Sequence, residues 1–278
     1  MHELLLYGQV SEARHEQVLK VLAGIAAMQP HRVLRRHIVY KPQREPDEPG
    51  SHLKRGGTQA VAQKNATKQV GQKPLFFTQL IQHLSDDDFD RTHAEKAEGN
   101  SLDVGKDDAG LNDRWSYEWH DIPDPADRGV LVRQMLASNG LKGNAHAYSV
   151  ALGNQFVSEY YIEGHRFVYE NLVIFLHRIL HEPGARSLET TPKETLPSLS
   201  ALHPLDPSGA YILEAKIRVQ DLNDPNLVDQ GVEELKSFQN QMKGCVQLYV
   251  PDRLNMDTRV KWVPKPIGLP RKVQVAPR

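Results

Sequence analysis

The chain has 278 residues, with 34 lysines and arginines against 35 aspartates and glutamates and a single cysteine, Cys245. A formal net charge of -1 argues against a general nucleic-acid binder with a strongly basic surface, and one cysteine excludes an intramolecular disulfide or a thiolate zinc cluster. No apolar run reaches the roughly 18 residues that span a bilayer, and the opening MHELLLYGQV lacks the basic n-region and cleavage site of a signal peptide.

The first segment places Leu4, Leu6 and Val10 on one face and Leu5 and Tyr7 on the other, as in a strand buried on both sides. Ser11 stands at a helix N-cap position, with Glu12 in the first turn. Val18, Val21, Leu22, Ile25 and Met28 follow at helical spacing, and Pro30 ends the run. Residues 37–41 return as a strand. From 43 to 112 the periodicity vanishes. A stretch rich in Pro, Gly, Gln, Lys and Arg is followed by an acidic one, a charge-segregated insert with too little apolar surface to offset ordering entropy. One apolar island, PLFFTQLIQHL (74–84), interrupts it and is expected to dock back as a strand or short helix.

Order resumes with Trp115, Tyr117 and Trp119 alternating with Ser116, Glu118 and His120, a half-buried strand. VLVRQMLA (130–137) reads as another, and HAYSVAL (146–152) also alternates. Two long apolar runs, 155–162 and 166–180, joined by Glu163, Gly164 and His165, read as a β-hairpin. Residues 182–209 are proline-rich. YILEAKIRV (211–219) alternates Tyr211, Leu213, Ala215, Ile217 and Val219 with polar residues. Val228, Val232, Leu235, Phe238 and Met242 mark a helix face with Gly244 after its end, and CVQLYV (245–250) reads as a last strand. The tail beyond Lys261 carries Lys265, Arg271, Lys272 and Arg278 without an acid. It predicts only weak, salt-sensitive nucleic-acid binding and no specific site.

The expected fold is mainly β, an antiparallel, closed or nearly closed β-barrel with two or three peripheral helices. Its single domain is drawn from 1–41 and 114–259. The remainder comprises a mostly disordered insert at 42–113, a loop at 182–209 and a basic tail at 260–278.

Catalytic patterns fail on inspection. GNSLDVGK (99–106) has one residue too many between its glycines for a phosphate loop and no Ser or Thr after Lys106. Asp86, Asp88 and Asp90 match the start of a calcium loop, but Arg91 and Ala97 stand where glycine and a bidentate glutamate are required. His177 and His181 lack further metal ligands nearby in sequence. Cys245 reads as a core residue. Glu214, Lys216 and Arg218 share one strand face. They could line a polar barrel interior, but without a Glu-x-Glu pair they offer a divalent ion no firm seat, and the favoured reading is a solvated or subunit-facing surface. No catalytic residue, metal, cofactor or small-molecule substrate is therefore expected. A metal-dependent, triphosphate-processing barrel stands as the alternative.

HELLLYGQV with the helix after it, EYYIEGHRFVYENLVIFLHRI (159–179), GAYILEAKIRV (209–219) and ELKSFQNQMKGCVQLYVPDRL (234–254) together resemble the Mediator subunit 18 family in a fungal form. The likeness covers most of the ordered segments and departs from animal members at 43–112. It implies a barrel similar in architecture to the tunnel-type triphosphatases and a non-catalytic, nuclear role in the Mediator head module. It also implies pairing with Mediator subunit 20, tethering through a C-terminal helix of subunit 8, contact with other head subunits, and an indirect connection to RNA polymerase II. Phe167, Tyr169, Leu172, Ile174 and Leu176 lie on the longest run that is apolar on both faces, and are the candidate protein-interaction residues.

Overall fold

The computed structural model describes residues 1–43, 74–89, 114–184, 190–222 and 224–261. Nine strands form one sheet: β1 (His2–Val10), β2 (His31–Pro42), β3 (Thr78–Leu84), β4 (Trp115–His120), β5 (Leu131–Leu141), β6 (Asn154–Tyr169), β7 (Leu172–His181), β8 (His203–Pro204) and β9 (Tyr211–Val219). The order is β6-β2-β3-β4-β5-β1-β9-β7-β8, and β6 also pairs with β7. That second pairing closes eight strands into a barrel and leaves β8 attached beside β7. Every pairing is antiparallel. Closure removes the free edges that an open sheet would present.

Among the described residues, three helices accompany the barrel: α1 (His15–Ala26), α2 (Ala145–Ala151) and α3 (Pro225–Gln241). The main apolar core lies between α1, α3 and the outer face of the barrel wall. Val18 and Leu22 of α1 and Val228, Leu235 and Phe238 of α3 pack there with Leu4, Leu6, Leu213 and Ala215. Each fully buried Leu or Val in this seam stabilises the fold by about 1.5–3 kcal/mol. Leu4, Leu5 and Leu6 are all fully buried, because β1 has the helices on one side and the lumen on the other. Ser11 precedes a short 3₁₀ turn, Glu12–Arg14, and makes no side-chain cap bond. α3 starts on Asp224, whose side chain accepts from the Asn226 amide. α1 ends where Ala27 turns left-handed at φ 49°.

One boundary and three local readings change in the structure. The island at 74–84 docks as a strand, β3, paired to β2 and β4, so the barrel extends into the range assigned to the insert. The rest of that insert, with the GNSLDVGK stretch and Asp90, falls outside the described residues. HAYSVAL forms α2 rather than a strand: the Asn144 side chain accepts from the Ala147 amide, and seven residues satisfy either period. The β6–β7 turn lies at Glu170–Asn171, with Tyr169 opposite Leu172, and β6 runs straight through Gly164. A Cβ on Gly164 would sit 2.4 Å from the Leu176 carbonyl oxygen and 2.5 Å from the His177 Cβ. Glycine is there for close strand approach, not for a bend.

Finally, 245–250 is no regular strand. It begins a strap in which Tyr249 bridges Tyr7 of β1 and Arg259 bridges Phe76. The Phe77 amide donates to the Thr258 carbonyl at 2.8 Å, and the Val260 amide to that of Leu75 at 2.7 Å. β5 pairs with β1 only at His2–Leu5, so the strap takes over the vacant edge of β1 beyond it. The tail from 262 onward falls outside the described residues.

Candidate functional site: the barrel lumen and its two ends

Inward-facing residues follow from the pairing register. Glu3 of β1 stands opposite Arg133 of β5 and Arg218 of β9, and Tyr7 stands opposite Glu214. Arg133 donates to Glu3 Oε2 at 2.8 Å and Arg218 to Oε1 at 3.2 Å. Lys216 lies 2.8 Å from Glu214 and 3.9 Å from Glu3. The face of β9 that carries Glu214, Lys216 and Arg218 therefore lines the lumen. It is not a solvated or subunit-facing surface, because the apolar face of β9 is the one covered by helices.

Burial raises the cost of ionising Glu214 and Glu3, but the surrounding cations together more than offset it, Lys216 first and then Arg133 for Glu3, and Lys216 with His177 and Arg133 for Glu214, so both carboxyls are held below the usual carboxylate range. Glu118 of β4 lacks such a neighbour at contact distance, and burial pushes its carboxyl up. His37 and His120 are held neutral. Burial lowers His37 to about 3, partly opposed by its bond to Gln79, and lowers His120 to about 4 with help from Arg133.

This donor set suits a resident ammonium better than a divalent ion. Lys216 stands between the two carboxylates that a metal would need, and among the described residues no group of three or more His, Cys, Asp or Glu could hold one. His177 faces the lumen, buried, with Phe175 stacked on its ring at 4.4 Å. His181 lies four positions along the same strand, about 13 Å away at strand rise. Asp88 accepts from the amide and hydroxyl of Ser85 and from Arg114, closing the end of β3 rather than binding calcium. Cys245 is half-buried against the helix-side core.

Two recesses reach the surface. One, about 490 Å³, lies where β7, β9 and the strap meet, lined by the inward-face residues Tyr7, Ile179 and Ile212 together with Leu205, Tyr249 and Met256 among others. The exposed apolar side chains Leu205, Tyr249, Val250 and Leu254 gather near it. The other, about 440 Å³, is lined by Phe156, Tyr161, Glu159, Lys193 and their neighbours. Beneath it Arg36 and Glu159 form a buried pair at 2.8 Å. Glu159 also accepts from the Lys193 amide at 3.1 Å, while Arg36 donates to the Lys193 carbonyl at 2.6 Å. The pair thus satisfies both main-chain groups of a residue in the proline-rich loop. Sequence reading missed this anchor because its members lie far apart along the chain.

The five candidate interaction residues lie elsewhere. Phe167, Leu172, Ile174 and Leu176 are buried, and Tyr169 packs against the same cluster. They form the seam between the β6–β7 wall and this chain's own helices, which leaves a partner no access to the four buried side chains.

The comparisons agree with this architecture. The family model described as Med18 protein matches residues 2–259. "Mediator of RNA polymerase II transcription subunit 18" of Aspergillus fumigatus is 35% identical over 273 residues, covering 94% of this chain and all of its own length. The protein of the same name from Aspergillus oryzae is 33% identical over 276 residues, with the same coverage. A chain in the structure of the Schizosaccharomyces pombe Mediator head module shares the fold, with a TM-score of 0.61 at 18% identity over 90% of this chain and 99% of its own. With family model, relatives and closed barrel in agreement, this chain belongs to the Mediator subunit 18 family.

Proposed function

We propose that the chain is a non-catalytic scaffold subunit of the Mediator head module, acting in the nucleus to link regulators to RNA polymerase II. Membership of the subunit 18 family along residues 2–259 carries this reading. The lumen is consistent with it, since Lys216 takes the place that metal-dependent phosphate chemistry would need for a cation. The exposed apolar side chains around the recess beside β8 supply surface that an assembly subunit buries. Its direct partners in this reading are Mediator subunit 20 and the C-terminal helix of subunit 8, with other head subunits around them. Affinity purification of the tagged full chain from nuclear extract should recover Mediator subunits as a stoichiometric set. Recovery of the chain alone, or metal-dependent phosphate release that Glu214→Ala abolishes, would contradict the proposal.

A further inference from the structure

At one end of the barrel, arginines crowd a lumen that has too few carboxylates for them. Arg35 of β2, Arg166 of β6 and Arg218 of β9 all face inward there. Arg35 stands opposite Ile162, Arg166 opposite Phe175, and Arg218 opposite Glu3. Among the described residues the lumen carries the cations Arg35, Arg133, Arg166, Lys216 and Arg218 against the carboxylates Glu3, Glu118 and Glu214, an excess of two positive charges. Glu3 is shared by Arg133 and Arg218, and Glu214 is held by Lys216. That leaves Glu118 as the lumen carboxylate without a Lys or Arg partner within 4.0 Å, among the described residues.

Arg35 itself is half-buried, yet neither it nor Arg166 has a hydrogen bond or ion pair to a described residue. The Arg35 Nε is buried without an acceptor, and its guanidinium rests over the Phe175 ring at 5.2 Å. The opposite ring nitrogen of His37, two residues along the same inward face, is also buried without a partner. An uncompensated guanidinium in a low-dielectric setting is costly, and its planar fork suits an oxyanion.

We infer that this end of the lumen binds one small oxyanion, held by the Arg35 guanidinium with Arg166 at the mouth. The anion supplies the acceptor that Arg35 Nε lacks and offsets the excess charge. No bond is made or broken, and no metal is involved, so the site acts as a structural or sensing site in a non-catalytic barrel.

The test is titration calorimetry of the full chain with inorganic phosphate in low-chloride buffer. Saturable one-to-one binding is expected. Arg35→Gln should weaken it about tenfold or more, the loss expected for a charge-assisted hydrogen bond. Glu118→Gln should tighten binding by removing a nearby negative charge, an effect that misfolding cannot imitate. Arg32→Gln, on the same strand but facing outward, should leave it unchanged. Should Arg35→Gln fail to fold, Arg166→Gln at the mouth must show the loss instead. Absence of saturable binding at millimolar phosphate, or equal affinity in the Arg35, Arg166 and parent proteins, overturns the inference.

Discussion

Tyr7 and Tyr249 exchange both of their main-chain hydrogen bonds, the Tyr7 amide donating at 3.0 Å and the Tyr249 amide at 2.7 Å. Between α3 and that bridge, Val246 and Leu248 enter the main core. The strap is thus part of the wall, and Gly8 is where it presses closest. A Cβ on Gly8 would meet Val246 Cγ1 at 2.8 Å and the Gln247 carbonyl at 3.1 Å. Gly8→Ala is expected to cost about 1–3 kcal/mol in urea denaturation. Adding Val246→Ala should recover part of that loss through coupling between touching residues. Strict additivity of the two changes would show that the strap does not press on β1.

Acid should weaken the fold before the carboxylates titrate. Burial lowers His37 to about 3 and His120 to about 4, while the unfolded chain titrates near 6.5. Between those values the unfolded state binds more protons, so stability falls as pH falls, by about 1.4 kcal/mol per unit for each such histidine. Glu3 and Glu214 have depressed folded values, so their contribution is present above the unfolded carboxylate range and is lost only as pH falls through the lower folded values. Denaturant midpoints measured from pH 7 down to pH 4 should decline, and the double variant His37→Gln, His120→Gln should flatten that decline. An unchanged slope in the double variant would show that these histidines are not held neutral by burial.

Much of the barrel was legible because alternation in Tyr211–Val219 and continuous apolarity in β1 and β7 are strong signals. β3 was obscured by its setting, seven residues between long polar stretches, where only the pairing partners β2 and β4 define it. Gly164 misled because a glycine that permits close strand approach looks in sequence like one that permits a turn. The lumen was misread for a reason particular to this architecture. The helices cover the outside of the barrel, so the apolar face of β9 points outward and the charged face inward. Charged residues on a strand ordinarily signal solvent, and only closure of the sheet reverses that inference.

The Arg36–Glu159 pair offers a separate test of how the proline-rich loop is held. Its side chains are 7% and 6% exposed. Removing one partner should strand the other charge, and Glu159→Ala is expected to cost about 3–5 kcal/mol. It should also speed hydrogen exchange at the Lys193 amide, which donates to Glu159. Unaltered protection at Lys193 would mean that the loop is anchored by something other than this pair.

Gly164→Ala probes the close approach of β6 and β7. The obstructing groups are the main-chain oxygen of Leu176 and the Cα and Cβ of His177, which cannot swing aside as a long side chain can. Loss of about 1–3 kcal/mol, or loss of soluble protein, is expected. At Gly24 of α1 nothing lies within 4 Å of an added Cβ, so Gly24→Ala should be neutral or stabilising. Equal effects at the two sites would contradict the packing described for the β6–β7 wall.

The central claim is that this chain works as an assembly subunit, and reconstitution tests it most directly. The full chain, Mediator subunit 20 and the C-terminal segment of subunit 8 from the same source would be co-expressed and passed over a size-exclusion column at micromolar concentration. The account predicts one peak containing all three at equal stoichiometry. It also predicts a melting temperature above that of the chain alone, since partners that bind only the folded state stabilise it. Three separately eluting components with an unchanged melting temperature would contradict it.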